Sequence, residues 1–304
     1  MKPFWNALIV AVCTLGVIAA DAASPKIVTH PFLCADYGGN KIAEVSADGT
    51  VKWEFPVDVP QDVWRLPNGH VLFSHARGAK EIDPVTKAVV WEYKAPEGAE
   101  IHNCQPIPGN RVMIAECGTK RIIEVDRAGK IVKEIPFVTT SGDTHHHVRI
   151  ARKLKNGNYL LSLNAERVVK ELDPTGKELR VIKVDGDPYC ALRLPNGNTL
   201  IGAGDGHKII EVDSKDNIVW SVNENDIPGH TLRFVADLQR LPNGNTVICN
   251  WQGHGHVHEQ SQIFEITRDK KVVWEMNDND HFTTISGVML LDVNGDVTKG
   301  QIIR

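Results

Sequence analysis

The chain has 304 residues, a formal net charge of -4, 42% hydrophobic and 24% charged residues. That is the composition of an ordinary globular protein. With no basic run and no basic face, it gives no sign of nucleic acid or an anionic membrane surface as partner.

Met1 to Ala22 reads as a secretory signal peptide. Lys2 supplies the positive start, Ala7 to Ala20 carries no charge, and Ala20-Asp21-Ala22 is a small-x-small cleavage pattern. The apolar run is short for a membrane span. The expectation is a mature chain from Ala23, exported to the periplasm or secreted, with no span after cleavage. Residues 23–304 are expected to form a single domain. Loss of the leader removes Cys13 and leaves Cys34, Cys104, Cys117, Cys190 and Cys249. An odd number without regular spacing is not a disulfide framework.

From here a turn recurs. LPNGHVL begins at Leu66, LKNGNYL at Leu154, LPNGNTL at Leu194 and LPNGNTV at Leu241, with weaker copies at Ile107 and Asp292. Asn-Gly between apolar runs is a strong hairpin signal, because both residues accept positive φ. The repeat of about 40–50 residues, all strand and turn, is that of β-propeller blades. Each period holds four strands. One ends at the hairpin, as in Val63 to Leu66, and the next follows it, as in Val71 to His75. The third ends on Glu, as in Arg121-Ile-Ile-Glu124 and Lys208-Ile-Ile-Glu211. The fourth carries Trp53, Trp91, Trp220 or Trp274.

Phe32 to Phe55 supplies only three strands. The missing one is Gly287-Val-Met-Leu-Leu-Asp292 near the other end. The expected fold is therefore all-β: a six-bladed β-propeller of four-stranded antiparallel blades, the first completed by the C-terminal strand.

In such a blade the NG hairpins lie on one face of the disk. The second-to-third loops and the blade connections lie on the other. Every histidine except His30 and His70 falls on that second face. His145-His146-His147 precedes an inner strand, and His254, His256 and His258 alternate in a Gly-rich run. If extended, that run puts its three imidazoles on one side. Imidazoles with an open position suit a divalent metal, zinc, calcium or manganese. The other reading is a nucleophilic or basic His, with His102 lying across from Glu116 and His147 near Arg149. Arg77, Arg149 and Arg233 would bind an anionic group, and His75, Tyr37 and Trp251 would complete the binding face.

The LPNGN hairpin followed by GK..VWE resembles the quinoprotein-like propellers, and among them the arylsulfotransferase-like group. The resemblance implies a catalytic histidine that takes a sulfuryl group, and by register that histidine is His102. The group's His-Asp motif is present here in pieces: Gln61-Asp62, His102-Asn103 and Ala236-Asp237. Pyrroloquinoline quinone is not expected, since the adjacent cysteine pair of the quinone-dependent dehydrogenases has no counterpart. Metal-dependent lyase propellers with histidine-ringed sites are a further resemblance. Two functions follow: an exported enzyme acting on a small anionic or carbohydrate-like substrate, or a non-catalytic propeller that binds a ligand or protein partner.

Overall fold

The recurring turn has one shape, with or without proline. The carbonyls of Leu66, Leu154, Leu194 and Leu241 accept hydrogen bonds from Gly69, Gly157, Gly197 and Gly244 at 2.9, 2.9, 2.9 and 3.0 Å. Those glycines sit at φ 86°, 90°, 88° and 88°. The preceding asparagines do not share the left-handed conformation. Their side chains instead accept from the backbone N–H two residues on, as at His70 and Asn198, both 3.0 Å. The expectation of positive φ at both positions is corrected. Pro67, Pro195 and Pro242 suit the first corner of a type I turn, but Lys155 holds that place in the Leu154 turn with the same glycine conformation, so the asparagine cap and the left-handed glycine suffice.

The computed structural model describes Met1 and residues 29–304. Apart from Met1, the expected signal peptide lies outside the described residues. Six four-stranded sheets surround an axis. The first takes Phe32–Asp36, Lys41–Val45 and Val51–Pro56, and its inner strand is Ile285–Leu290. Cys34 lies opposite Val288 and Leu33 opposite Met289. The ring therefore closes as expected, with no open inner edge. The only other regular elements among the described residues are two short 3-10 turns, Thr144–His146 and Val297–Lys299. None of these helices is long and apolar enough to cross a membrane.

Burial follows radius. The inner strand Ile101–Ile107 is buried at every position, whereas the outer strand Val51–Pro56 alternates. Inner strands are covered by both neighbouring sheets, so even their polar residues, such as Asp62, Asn103 and Asp237, are buried, whereas outer strands face solvent at every second residue. Each fully buried Leu, Ile, Val or Phe contributes about 1.5–3 kcal/mol. All five described cysteines are buried and unbridged.

The Glu that ends each third strand clips its blade to the next. Glu44 pairs with Arg65, Glu81 with Arg127 and Glu124 with Lys153. Glu171 pairs with Arg193 at 2.7 Å, and Glu211 with Arg268 at 2.6 Å. In three blades the Asn after the turn glycine also donates to this Glu: Asn158, Asn198 and Asn245 at 2.7, 2.8 and 2.6 Å. The ring is completed by His30, which meets Glu265 at 2.8 Å and Asp292 at 2.8 Å.

His30 is therefore the one imidazole among these clips. Burial works to lower its pKa, but the hydrogen bonds to Glu265 and Asp292 outweigh burial and raise it above the usual value. A raised folded-state pKa adds stability that is complete below about pH 6.5 and is lost as pH rises through the folded value. His30→Gln should accordingly be less stable than the parent in mild acid and converge with it at alkaline pH. Denaturant midpoints of the two proteins across that range would show this, and a constant gap at all pH values would contradict it.

The axis is blocked midway by buried charge. Arg304 Nη2 donates to Asp62 at 2.9 Å and to Asp237 at 2.7 Å, and Arg152 Nη1 donates to Asp62 at 2.8 Å. The Arg304 and Arg152 guanidinium groups lie 4.3 and 5.0 Å from the centre of the Trp64 ring. The two Asp residues of the fragmented His-Asp motif thus serve as struts of the ring. Below them a second cavity, lined by Arg152, Lys153, Leu154, Arg193 and Arg304, opens at the hairpin end.

Candidate functional site

At the histidine end of the axis the inner strands leave a cavity of about 380 Å³, a size suited to a small ligand. Gln61, Ala236 and Ser286 form its floor, one residue along the chain from Asp62, Asp237 and Gly287. One wall is aromatic: Tyr37, Tyr189, Phe234 and Trp251. The rest of the lining includes Arg149, His145, His146 and Asn164.

Arg149 follows the 3-10 turn and is buried. Its Nη1 lies 3.2 and 3.4 Å from the two ring nitrogens of His102. Its guanidinium carbon is 5.4 Å from the Tyr189 ring centre. Its Nε has no hydrogen-bond partner, and among the described residues no carboxylate pairs with it. Buried charges are ordinarily paired, so a guanidinium in this state on a cavity wall is complementary to an anion.

Behind Arg149 sits a compact cluster. Glu100 Oε1 is 3.2 Å from His102 Nε2 and hydrogen-bonds His145 Nδ1. One ligand atom from each of Glu100, His102 and His145 falls within 4.8 Å of the others. The backbone makes a special arrangement to hold it. Glu100 has φ 44°, an unfavourable conformation for a residue with a Cβ. The strand register shifts between Ile101 and Cys104, which re-aims His102. Burial pushes the His102 pKa down to about 4; the bond to Glu100 works against this and the Arg149 charge adds to it. Hydrogen bonds from His102 and His145 hold the Glu100 carboxyl well below the usual carboxylate range. At neutral pH the cluster is therefore a carboxylate with a neutral buried imidazole beside it.

Several sequence expectations are corrected here. Glu116 does not face His102. Ile101 takes the place opposite it, and its carboxylate accepts from Tyr93 at 2.5 Å, Thr119 at 2.6 Å and Arg121 at 2.5 Å. The bulge displaces His102 from the simple hairpin register, and the orienting carboxylate is Glu100. His147 is buried with its ring nitrogens 2.9 and 3.0 Å from the carbonyl oxygens of Cys117 and Ser141; it ties the loop down rather than facing the cavity. The Gly-rich run is not extended. His254 and His258 have φ 54° and 65°, so the three imidazoles do not share a side. His254 reaches Asp205 at 3.1 Å and His256 reaches Glu259 at 3.0 Å. His146 lines the cavity but bonds Asp143 at 2.7 Å. Of the expected His145, His146, His254, His256 and His258, only His145 belongs to the group whose ligand atoms converge among the described residues, with Glu100 and His102.

His75, Arg77 and Arg233 lie on the expected face without lining the cavity. His75 is half-buried, and burial followed by the Lys80 charge lowers its pKa. Arg77 is exposed, and Arg233 is engaged by Glu259 at 3.0 Å. Glu100 was not singled out from sequence. It sits in a Glu-Gly-Ala-Glu connection, where an acidic loop residue gives no signal of its own.

The sequence over residues 40–271 matches the Mal s 1 allergenic protein-like family. The chain belongs to that family. A protein of unknown function from Bacteroides caccae is 34% identical, with a TM-score of 0.80 over 87% of this chain and 100% of its own. Virginiamycin B lyase from Staphylococcus aureus is 14% identical, with a TM-score of 0.58 over 82% of this chain and 85% of its own. The WD40 propeller domain of Doa1 is 16% identical, with a TM-score of 0.57 over 72% of this chain and 71% of its own. The last two share the fold alone with this family member. No curated protein matches the sequence.

Proposed function

We propose that the protein is an enzyme acting on a small anionic molecule held in the axial cavity. The observation that supports this most is Arg149, a buried guanidinium without a carboxylate partner that lines the cavity beside the Glu100–His102–His145 cluster. Arg149 receives the anionic group. Glu100 fixes Nδ1 of His145, which leaves His145 Nε2 to take or give a proton at the substrate, a base-and-orienter arrangement. The arylsulfotransferase-like alternative needs His102 as the sulfuryl acceptor. Its ring nitrogens face Glu100 and Arg149 and it is buried, so the exposed His145 is the better proton carrier and His102 the better support.

A second reading rests on the convergence of ligand atoms within 4.8 Å. Two imidazoles and a carboxylate suit zinc, and next manganese, better than calcium, which prefers oxygen. Bound there, such an ion would polarise a substrate oxygen, while Arg149 would still hold the anion. A propeller that binds the same ligand without turning it over is the non-catalytic alternative.

Melting curves with phosphate, sulfate and a panel of carboxylates, each with and without zinc, manganese or calcium, test these readings. Stabilisation by an anion is expected. A metal-dependent gain abolished by Glu100→Gln and by His145→Ala would establish the metal version. No response to any anion would count against the proposal, and binding without turnover would favour the passive propeller.

We also propose export, motivated by the charged start, apolar run and small-x-small pattern ahead of Ala23. Expressed with its leader, the protein should be recovered outside the cytoplasm with a new N-terminus near Ala23; an intact Met1 in the cytoplasm would refute it.

A further inference from the structure

The aromatic wall has a geometry of its own. Tyr37 meets Trp251 at 6.0 Å between ring centres and 88° between planes. Phe234 meets Trp251 at 5.2 Å and 67°, and Tyr189 meets Phe234 at 4.9 Å and 77°. His254 closes against Trp251 at 4.9 Å and 89°. At these separations the rings pack edge to face against one another, and together they give the cavity one continuous aromatic side.

The charges are divided across the same cavity. Asp205 is the one carboxylate on its lining, and it bonds His254 at the aromatic side. Arg149 lies at the Tyr189 end of the aromatic side, its guanidinium carbon 5.4 Å from that ring's centre. That leaves Tyr37, Phe234 and Trp251, with Asp205 nearby, as the part of the cavity suited to a positive charge. Aromatic faces attract cations through the ring quadrupole, and aromatic-lined sites are a recurring solution for quaternary ammonium groups, which have no N–H to donate. A simple primary ammonium would instead favour several oxygen acceptors, and this wall offers few.

We propose that the ligand is a zwitterion: an alkylated ammonium lodged among Tyr37, Phe234 and Trp251, and a carboxylate or similar anion on Arg149. This rests on the reading of the axial cavity as the ligand site and specifies which chemical class enters it. The cation end gives the ligand its orientation, and the anion end is placed beside His145.

The test compares trimethylammonio carboxylates of increasing chain length with tert-butyl carboxylates of the same lengths, by calorimetric titration. The two series match in shape and differ by one charge. At the best length the ammonium compound should bind at least about tenfold more tightly. Trp251→Leu should abolish that preference, Trp251→Phe should keep much of it, and Arg149→Gln should weaken both series. Melting curves of each variant exclude misfolding as the cause. Equal binding of the two series would overturn the cation assignment, while loss of both in Arg149→Gln would leave the anion site standing. Binding of neither series at any length would overturn both.

Discussion

Replacing Arg149 with Gln should weaken anion binding by about 30-fold or more while leaving the fold as stable as before. The magnitude comes from truncating one partner of a buried charge-assisted contact, about 2 kcal/mol at the low end. The second half of the expectation separates a binding residue from a structural one. Arg149 is buried without a carboxylate partner and with an unsatisfied Nε, so in the free protein its charge is a burden. Gln removes that charge at little cost in packing, and the melting temperature should hold or rise. Lys should give an intermediate affinity, since it restores the charge but not the two-pronged geometry. Titration and melting on the three proteins decide the matter. A large loss of stability in Arg149→Gln would make Arg149 a strut instead.

Asp237→Ala should do the reverse, costing about 3–5 kcal/mol of stability as expected when one member of a buried ion pair is removed. Asp237 accepts from Arg304 at 2.7 Å, from Leu238 N at 2.9 Å and from Val288 N at 3.1 Å. Val288 belongs to the strand that closes the first blade, so this one carboxylate ties the closing strand, the sixth blade and the axial arginine together. Asp237→Asn keeps an acceptor for one of the two N–H groups, which bond different carboxylate oxygens, and should lose less than Ala. Denaturant unfolding at neutral pH measures both. A loss below about 1 kcal/mol in Asp237→Ala would show that the axial charges do not hold the ring.

The architecture was legible because turn chemistry repeats. Leu-Pro-Asn-Gly marks three blades and its variants at Leu154 and Ile107 mark two more, and the lone inner strand around Val288 announces closure. Even the inter-blade clips leave a trace, the Glu ending each third strand, though their partners fall at different offsets in the next blade and are visible only in space. The histidine-rich face was legible for the same reason, as a matter of which loops share an end of the strands. Convergence within that face was not. His102 turns on a bulge that no periodicity signals, and Glu100 is brought to it by a left-handed backbone. His254, His256 and His258 were misplaced because glycines at 253 and 255 let the run coil into turns rather than extend. Arg149 was noticed, but its lack of a partner is a property of three dimensions.

The most direct test of the central claim, that the axial cavity is an anion site worked by Arg149 and His145, is side-chain NMR of the histidine and arginine nitrogens during titration with a soluble carboxylate. The His145, His146 and Arg149 signals should move together and saturate, while those of His30 and His70 at the other end of the strands stay still. Saturable movement confined to His30 or His70, with Arg149 unmoved, would contradict it.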